Sequence, residues 1–320
     1  MQQPKEDVEM SSALVASTTV PVRLFDARQR EFAQQFNQRS FEFTHHLAGH
    51  PLFEIPRLIE LSKKLSRKPG GQLYYDAGEV RVNQRWDESP TTDLSVDETI
   101  RRIQDAGAWV VLKRAEQDPE YRALLDDCMA EIQTLTGRNL KREMKADEVI
   151  IFITSPNRIT TYHIDRECNF LLQIHGDKDI SVFDQKDRDV LPEKEIERFW
   201  TVDNNAAIYK EQFQTRAKVY RLSPGKAIHI PVNAPHWVKN GNDISVSLSV
   251  NFQFREIFPA NVYRANFLLR KVGINPVPPG QSRIRDRIKG LAVSSTYIPA
   301  TKLRSLMPVS LRRWIRRIPA

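Results

Sequence analysis

The chain has 320 residues, of which 40% are hydrophobic and 28% charged, and its formal net charge is +8. This length and apolar content allow one large domain or two modest ones with a sizeable core. No apolar run approaches the ~18 residues that cross a bilayer, and the sequence shows no secretory signal pattern. Two cysteines, Cys128 and Cys168, exclude a disulfide framework and favour a reducing compartment, so we expect a cytoplasmic protein.

The excess of positive charge lies at the end of the sequence. Residues 281–320 contain ten Lys or Arg and one acidic residue, which leaves 38 basic and 39 acidic residues in the rest of the chain. The body of the protein is therefore almost neutral, and we do not expect it to form a basic groove for nucleic acid.

The first part of the chain predicts mainly helices. Residues 1–20 are polar and rich in Ser and Thr, which is typical of a disordered N-terminus. Helices are predicted over residues 56–65, 95–106 and 118–135, and a strand over residues 109–113. Pro56 and Pro119 stand in first helical turns, and Ser95 is a plausible cap. Residues 21–145 are therefore predicted to be an α/β region that flanks the core.

After residue 145 the pattern changes to short strands separated by turn residues. Strands are predicted over residues 148–154, 169–175, 178–184, 217–223, 226–231 and 244–254, with one helix over residues 192–200. The last strand alternates large apolar residues with Ser245, Ser247, Ser249 and Asn251, which leaves room for a ligand on the polar face. We predict a mainly β core of sandwich or barrel type over residues 146–256, followed by a helical C-terminal extension over residues 257–320.

One set of residues in this core has the pattern of a metal site. In a strand, His163 and Asp165 of the run TTYHID would point to the same face, and His236 follows a turn much later in the chain. Two histidines and one carboxylate form the facial triad that binds Fe(II) and leaves three positions open, as an oxygenase requires. The pattern itself does not exclude another divalent metal. A single His-x-Asp pair is often accidental, and a histidine near a proline is usually structural, so the prediction depends on the combination.

The surroundings of His236 resemble the second conserved motif of the cupins. In the segment PGKAIHIPVNAPHWVKNG (residues 224–241), Gly225, Pro231, His236 and Asn240 match that motif, and Asn233 replaces a glycine. Asparagine is the next-best residue for a left-handed turn, so the replacement is mild. The first cupin motif would provide His-x-His and a later Glu, whereas this chain has His-x-Asp.

That difference is typical of JmjC-like, cupin-fold oxygenases that use Fe(II) and 2-oxoglutarate, and HIDRECNFLLQIHGDK resembles the corresponding stretch of the asparaginyl hydroxylase of hypoxia-inducible factor. The resemblance implies that Lys178, thirteen residues after Asp165, pairs with the distal carboxylate of 2-oxoglutarate. It also implies that the Thr160 hydroxyl binds this carboxylate and that Asn169 and Asn251 line the co-substrate site.

The physical chemistry of these residues agrees with the resemblance. 2-Oxoglutarate is a dianion, and a lysine with a neighbouring hydroxyl is a suitable partner for its free carboxylate. Val246 stands ten residues after His236, where other enzymes of this chemistry place an arginine, so a lysine anchor is favoured. The alternative for Lys178 taken alone is a solvated lysine at the end of a strand.

The resemblance implies a double-stranded β-helix (jelly-roll, cupin/JmjC-like) core and oxygenation coupled to decarboxylation of 2-oxoglutarate, with O₂ as the oxidant. We expect hydroxylation of a protein or peptide side chain, with a small molecule or demethylation of N-methyl groups as alternatives. A second alternative is a metal-binding cupin without oxygenase activity, which acts as a Lewis acid or binds a small ligand. A third is a regulatory or nucleic-acid-binding protein that acts through its basic tail.

The tail, SLRRWIRRIPA, is predicted to be a short amphipathic helix over residues 310–318. Its apolar face consists of Leu311, Trp314, Ile315 and Ile318, and arginines occupy the other face. An anionic membrane surface suits both faces, which would place the protein peripherally on the inner face of the membrane. Docking on the protein's own core or on a homodimer partner is an alternative, and nucleic acid is a weaker one.

Overall fold

We analysed a computed structural model, which describes residues 23–67, 73–255 and 258–306. The predicted disordered N-terminus over residues 1–20 and the amphipathic tail over residues 310–318 lie outside the described residues. No helix in the described ranges is both long enough and apolar enough to span a membrane.

The described chain contains eight α-helices and twelve strands. The helices are α1 Gln29–Gln35, α2 Ile55–Ser66, α3 Val96–Arg101, α4 Pro119–Thr136, α5 Leu140–Glu143, α6 Glu193–Thr201, α7 Phe258–Lys271 and α8 Arg283–Leu306. The strands are β1 Phe25–Asp26, β2 Phe41–His45, β3 Leu73–Ala77, β4 Ala108–Lys113, β5 Met144–Thr154, β6 Ile159–His163, β7 Cys168–His175, β8 Lys178–Val182, β9 Lys218–Leu222, β10 Lys226–Ile230, β11 His236–Asn240 and β12 Ser245–Phe254.

The strands form two antiparallel sheets. The larger sheet has the order β1-β2-β10-β7-β12-β5-β4-β3, and the smaller has the order β6-β11-β8-β9. An apolar cluster joins their facing sides, with Leu171 and Ile228 from the larger sheet against Ile180 and Val238 from the smaller. This arrangement, with helices outside it, confirms the predicted jelly-roll core. The four strands that precede residue 145 extend the larger sheet, so the N-terminal region shares the core's hydrogen-bonded framework.

Local capping explains where the predicted helices begin. The Ser95 hydroxyl accepts a hydrogen bond from the Glu98 N–H (3.4 Å) and caps α3, and the Asp118 carboxylate accepts from the Glu120 N–H (3.2 Å) and caps α4. Pro119 occupies the first turn of α4, where its missing N–H costs no intrahelical bond. These two helix caps could be predicted from the sequence, because capping depends on the residue types within one helical turn.

The two faces of β12 pack differently. Val246, Leu248 and Val250 lie in the main core with residues of α1, α2 and α4, whereas the serines face the inside of the jelly roll. The Gln173 amide donates to the Ser245 Oγ (3.0 Å) and accepts from the Ser247 Oγ (2.7 Å). The expectation that this serine face leaves open volume is therefore wrong at Ser245 and Ser247, because Gln173 fills the space beside them.

Candidate metal and co-substrate site

The three predicted metal ligands come together at the edge of the smaller sheet. His163 ends β6, and it pairs across the ladder with His236, which begins β11. The Asp165 Oδ2 lies 3.8 Å from the His163 Nε2 and 3.6 Å from the His236 Nε2. One ligand atom from each residue lies within 4.8 Å of the others, and the three residues form a possible site for a metal ion.

The position of Asp165 corrects one step of the sequence argument. The strand ends at His163, so Asp165 does not share a face with His163 through strand alternation. Asp165 lies in the following loop, and its carbonyl accepts a hydrogen bond from the Asn233 N–H (2.9 Å). The turn before His236 therefore positions both the second histidine and the backbone of Asp165, the predicted carboxylate ligand.

The turn depends on Asn233, which has a φ of 62°. Its side-chain oxygen accepts a hydrogen bond from the Trp200 indole (3.0 Å), and the Ala234 N–H donates to the Pro231 carbonyl (3.1 Å). A left-handed residue is needed here, and asparagine adopts this conformation more readily than most residues. The expected left-handed turn with asparagine in place of glycine is thus confirmed.

Both histidine rings are oriented for binding a metal through Nε2. The Nδ1–H of His163 donates to the Thr161 carbonyl (2.7 Å), and that of His236 donates to the Ala234 carbonyl (3.0 Å). These bonds fix the tautomer and leave the Nε2 lone pairs directed at Asp165. Burial, and then the neighbouring His163, lower the pKa of His236, so its ring is neutral and able to bind a cation.

Metal–nitrogen and metal–oxygen bonds are about 2.0–2.2 Å long, so one ion can bridge ligand atoms separated by up to about 4 Å. The separations of Asp165 from the two histidines lie within this range. Two neutral imidazoles and one carboxylate are also the donor set of a facial iron triad. The residues therefore fit the metal that the family resemblance implies.

A cavity of about 380 Å³ opens beside the three ligands. It is lined by all seven residues that the sequence singled out: His163, Asp165, His236, Lys178, Thr160, Asn169 and Asn251. These residues belong to five different strands or their adjoining loops, and only the fold brings them together. Their individual roles toward metal and co-substrate stay predictions.

Lys178 is the buried cation of this cavity. It begins β8, lies between Asn240 and Leu222 of the neighbouring strands, and is 5% exposed. Burial lowers the pKa of its ammonium group to about 7. Within the described ranges, no hydrogen bond or ion pair satisfies this ammonium group. A buried lysine without such a partner favours an anionic ligand, which would stabilise its charged form.

The two asparagines face each other across β7 and β12. The Asn169 amide donates to the Ser249 Oγ (3.0 Å), and this hydroxyl donates to the Asn251 Oδ1 (3.3 Å). The Asn169 Oδ1 is buried and has no hydrogen-bond partner in the described structure. Since buried polar atoms are normally paired, this atom indicates that the cavity is built for a polar ligand.

Sequence reasoning missed the outer wall of the cavity. Trp109 of β4 stacks on Phe152 of β5 with ring centroids 6.0 Å apart, and Tyr74 packs edge-on against Trp109 at 5.5 Å. Two carboxylates, Glu148 and Glu167, also line this part of the cavity, and burial raises the pKa of both. The alternation of β5 could have revealed that Glu148 and Phe152 face inward. Every second residue of this strand from Glu148 to Thr154 lines the cavity, as expected for one face of a strand.

The sequence matches the model of the cupin-like domain over residues 24–259, so this chain belongs to the cupin-like domain family. A comparison with curated protein sequences gave no match.

Solved structures with a similar fold include those of Escherichia coli YcfD. One aligns with a TM-score of 0.49 and 13% identity over 86% of this chain and 68% of YcfD. Another, described as the ribosomal oxygenase YcfD, aligns with a TM-score of 0.45 and 15% identity over 86% of this chain and 67% of that one. A third, YcfD in complex with cobalt and 2-oxoglutarate, has a TM-score of 0.45 and 12% identity over 81% and 60% of the two chains.

Proposed function

We propose that this chain is an Fe(II)- and 2-oxoglutarate-dependent oxygenase that hydroxylates a protein or peptide side chain. The observation that carries the proposal is the presence, in one cavity, of a three-residue metal site and of buried Lys178. The first favours a cation and the second favours an anion. 2-Oxoglutarate meets both requirements, because one end of the molecule chelates metals and the other end is a free carboxylate.

Fe(II) held by His163, Asp165 and His236 would supply the redox chemistry that couples O₂ and 2-oxoglutarate to hydroxylation, giving succinate, CO₂ and a hydroxylated product. The protein's contribution is orientation. The carbonyls of Thr161 and Ala234 hold both imidazole rings in place, so neither ring has to be reoriented when a metal binds.

Lys178 and Thr160 are proposed to bind the distal carboxylate of 2-oxoglutarate. An ammonium group and a hydroxyl that line the same cavity offer a charge and an additional hydrogen-bond donor to a carboxylate. Asn169 and Asn251 supply amide groups at the neighbouring wall. Leu171, Ile230 and Val238 form the apolar side of the cavity and limit the access of water.

The substrate would enter past the aromatic wall formed by Tyr74, Trp86, Trp109 and Phe152. These flat, apolar surfaces suit a side chain that projects from a protein or peptide, and Glu148 and Glu167 provide acceptors beside it. Demethylation of an N-methyl group would use the same residues, and only the product distinguishes it.

The decisive experiment is an anaerobic titration of the protein with Fe(II) and 2-oxoglutarate, in which a visible metal-to-ligand charge-transfer band is expected. Succinate formation after addition of O₂ is the second readout. The Lys178→Ala variant should bind Fe(II) normally but require far more 2-oxoglutarate for the band. Lys226→Ala is the matched control, since this lysine lies on the surface and pairs with Glu42 at 3.0 Å.

The alternatives give different results in the same experiment. A cupin that uses its metal as a Lewis acid, or binds a small ligand without redox chemistry, would take up the metal but show neither the band nor succinate. A protein that acts only through its basic tail would show no metal binding that depends on His163. Release of formaldehyde in place of a hydroxylated product would indicate demethylation.

A further inference from the structure

Exposed apolar side chains are concentrated on the two C-terminal helices and on the segment that joins them. Ten large apolar residues of the described chain are exposed, and six of them lie between residues 268 and 291. These six are Leu268, Val272, Ile274, Ile284, Ile288 and Leu291. The match to the cupin-like domain ends at residue 259, so this surface lies outside the family's shared domain.

Helix α8 carries the most exposed part of this surface. Ile284, Ile288 and Leu291 are 75%, 63% and 60% exposed, and their spacing of four and three residues places them on one helical face. Gly290 and Val293 lie on the opposite face and are buried. An amphipathic helix normally buries its apolar stripe against the protein, whereas this stripe of α8 faces away from it.

Specific contacts fix the rotation of α8. The Asp286 carboxylate accepts a hydrogen bond from the Gly280 N–H (2.7 Å), and the Lys289 ammonium donates to the Val277 carbonyl (2.9 Å). Further along the helix, the Asn261 amide donates to the Ser294 Oγ (2.8 Å). Turning the helix to bury its apolar stripe would break all three bonds, so the stripe faces outward as a stable feature of the fold.

The residues that flank the stripe are basic. Arg285 and Arg287 are exposed on its two sides, and Arg283 is exposed at the start of the helix. The acidic residue of this segment, Asp286, is buried on the inner face. In the part of the chain that the structure describes, none of the three arginines forms an ion pair. The outer face of α8 thus combines apolar side chains with unneutralised positive charge.

We infer that the outer face of α8 docks on an anionic phospholipid bilayer. An interfacial helix places its apolar stripe at the acyl boundary and its arginines beside lipid phosphates, and both groups are present here in that arrangement. A second copy of the chain fits less well, because an isologous contact would bring the arginines of the two copies together. Nucleic acid also fits less well, because its phosphates would bind the arginines but would make no use of the exposed isoleucines.

The sequence beyond the described residues is consistent with this surface. Residues 310–318 contain four arginines together with Leu311, Trp314, Ile315 and Ile318, so the same two kinds of residue occur there in the sequence. The inference places the protein peripherally on the inner face of a membrane. It is independent of the proposed oxygenase activity, because it uses none of the residues of the cavity.

Sedimentation of the full chain with lipid vesicles tests the inference. We expect binding to vesicles of phosphatidylcholine and phosphatidylglycerol at low salt, and much weaker binding to phosphatidylcholine alone. An arginine near an anionic surface contributes about a fivefold factor, so Arg285→Gln with Arg287→Gln should weaken partitioning about thirtyfold. Ile284→Ser with Ile288→Ser should weaken it at least as much, because two apolar side chains no longer enter the interface.

The matched control is Val202→Ser with Ile208→Ser, since these residues are 60% and 59% exposed on the catalytic core. This control should bind vesicles like the wild type. Failure of the wild type to bind anionic vesicles would overturn the inference, as would equal binding by the isoleucine variant. A change from dimer to monomer in the isoleucine variant would assign the face to a second copy. Loss of DNA binding in the arginine variant, with vesicle binding unchanged, would assign it to nucleic acid.

Discussion

His163 and His236 occupy one register position of two neighbouring antiparallel strands, and the centroids of their rings are 4.2 Å apart. Residues 73 positions apart in the chain thus become the nearest neighbours across a ladder. Their common orientation depends on two backbone carbonyls rather than on each other, so each ring is in place before a metal is present.

Removal of any one of the three predicted metal ligands should abolish the proposed oxygenase activity. A site with three protein ligands has none in excess, so we expect His163→Ala, Asp165→Ala and His236→Ala to lower Fe(II) affinity by at least tenfold. Calorimetric metal titration under anaerobic conditions measures this, and circular dichroism checks that the fold is kept. His175→Ala is the control, because this exposed histidine does not line the cavity. Its Nε2 lies 3.7 Å from the Asp243 Oδ2. Near-native succinate production by any of the three variants would show that the substituted residue is not a required metal ligand.

The Lys178 side chain should control affinity for the co-substrate alone. Loss of a desolvated charged partner typically costs about 2–5 kcal/mol, so Lys178→Ala should raise the 2-oxoglutarate concentration at half saturation by at least thirtyfold. Fe(II) affinity should stay within about twofold, since the lysine is not among the metal ligands. An unchanged 2-oxoglutarate requirement would transfer the anchor role to another group, with Lys239 as the next residue to test.

The same lysine should make the ligand-free protein more stable as the pH rises. Its pKa is about 7 in the folded protein and 10.5 in the reference state, so between these values the unfolded chain holds a proton that the folded chain has lost. The free energy of unfolding therefore increases with pH in this window, by up to ~2 kcal/mol between pH 7 and 9. Urea denaturation at several pH values should show this increase, and Lys178→Met should reduce it and raise stability at pH 7. Parallel pH profiles for both proteins would contradict the prediction.

Two glycines with similar backbone angles should respond differently to substitution. Gly49 and Gly176 have φ values of 72° and 70°. A Cβ at Gly49 would meet no atom within 4 Å, whereas one at Gly176 would overlap the Ile244 carbonyl oxygen. Gly49→Ala should cost about 1 kcal/mol from conformational strain alone, and Gly176→Ala should cost at least ~3 kcal/mol because the backbone must also move. Thermal unfolding of the two variants checks this, and equal losses would show that the close approach is unimportant.

The turn at Asn233 should affect both stability and metal affinity. Asn233→Val places a β-branched residue at a φ of 62°, which is strained by about 1–2 kcal/mol or more, and it removes the acceptor of the Trp200 indole. Because the backbone N–H of the same residue holds the Asp165 carbonyl, Fe(II) affinity should fall together with stability. Asn233→Gly should retain most of the metal affinity. A valine variant with unaltered metal binding would show that Asp165 is positioned by other contacts.

Local signals in the sequence predicted much of the fold. The caps of α3 and α4 and most core strands were predictable, because residue alternation, prolines and cap residues act over a few positions. The short strands β1, β2 and β3 were not predicted, since their pairing partners lie far away in the chain and two to five residues carry little periodicity. The sequence also did not reveal how the residues on the polar face of β12 are packed. The space predicted beside Ser245 is filled by Gln173 from another strand.

The site residues were found through their spacing within motifs, and their convergence required the fold. Nothing in the local pattern predicted that Asp165 lies in a loop, because Ile164 between His163 and Asp165 produces the alternation of a strand. The aromatic wall of Trp109 and Phe152 was missed, since it joins a strand of the N-terminal region to a strand of the predicted core. Cross-strand neighbours of this kind depend on sheet order, which short-range patterns do not encode.

The link between Asn233 and Asp165 has a consequence for how a metal ion would enter and leave the site. Hydrogen bonds to backbone carbonyls hold both imidazole rings, and the Asn233 N–H holds the carbonyl of Asp165, so the conformational entropy of these groups is lost during folding rather than during metal uptake. A chelator should therefore remove the ion and leave a folded protein that is ready to be reloaded, unlike domains that unfold without zinc. A rigid site made of two imidazoles and one carboxylate also discriminates weakly among first-row divalent ions, so Co²⁺, Ni²⁺ and Zn²⁺ should compete for it. The identity of the resident ion would then be decided by which metals the cell supplies.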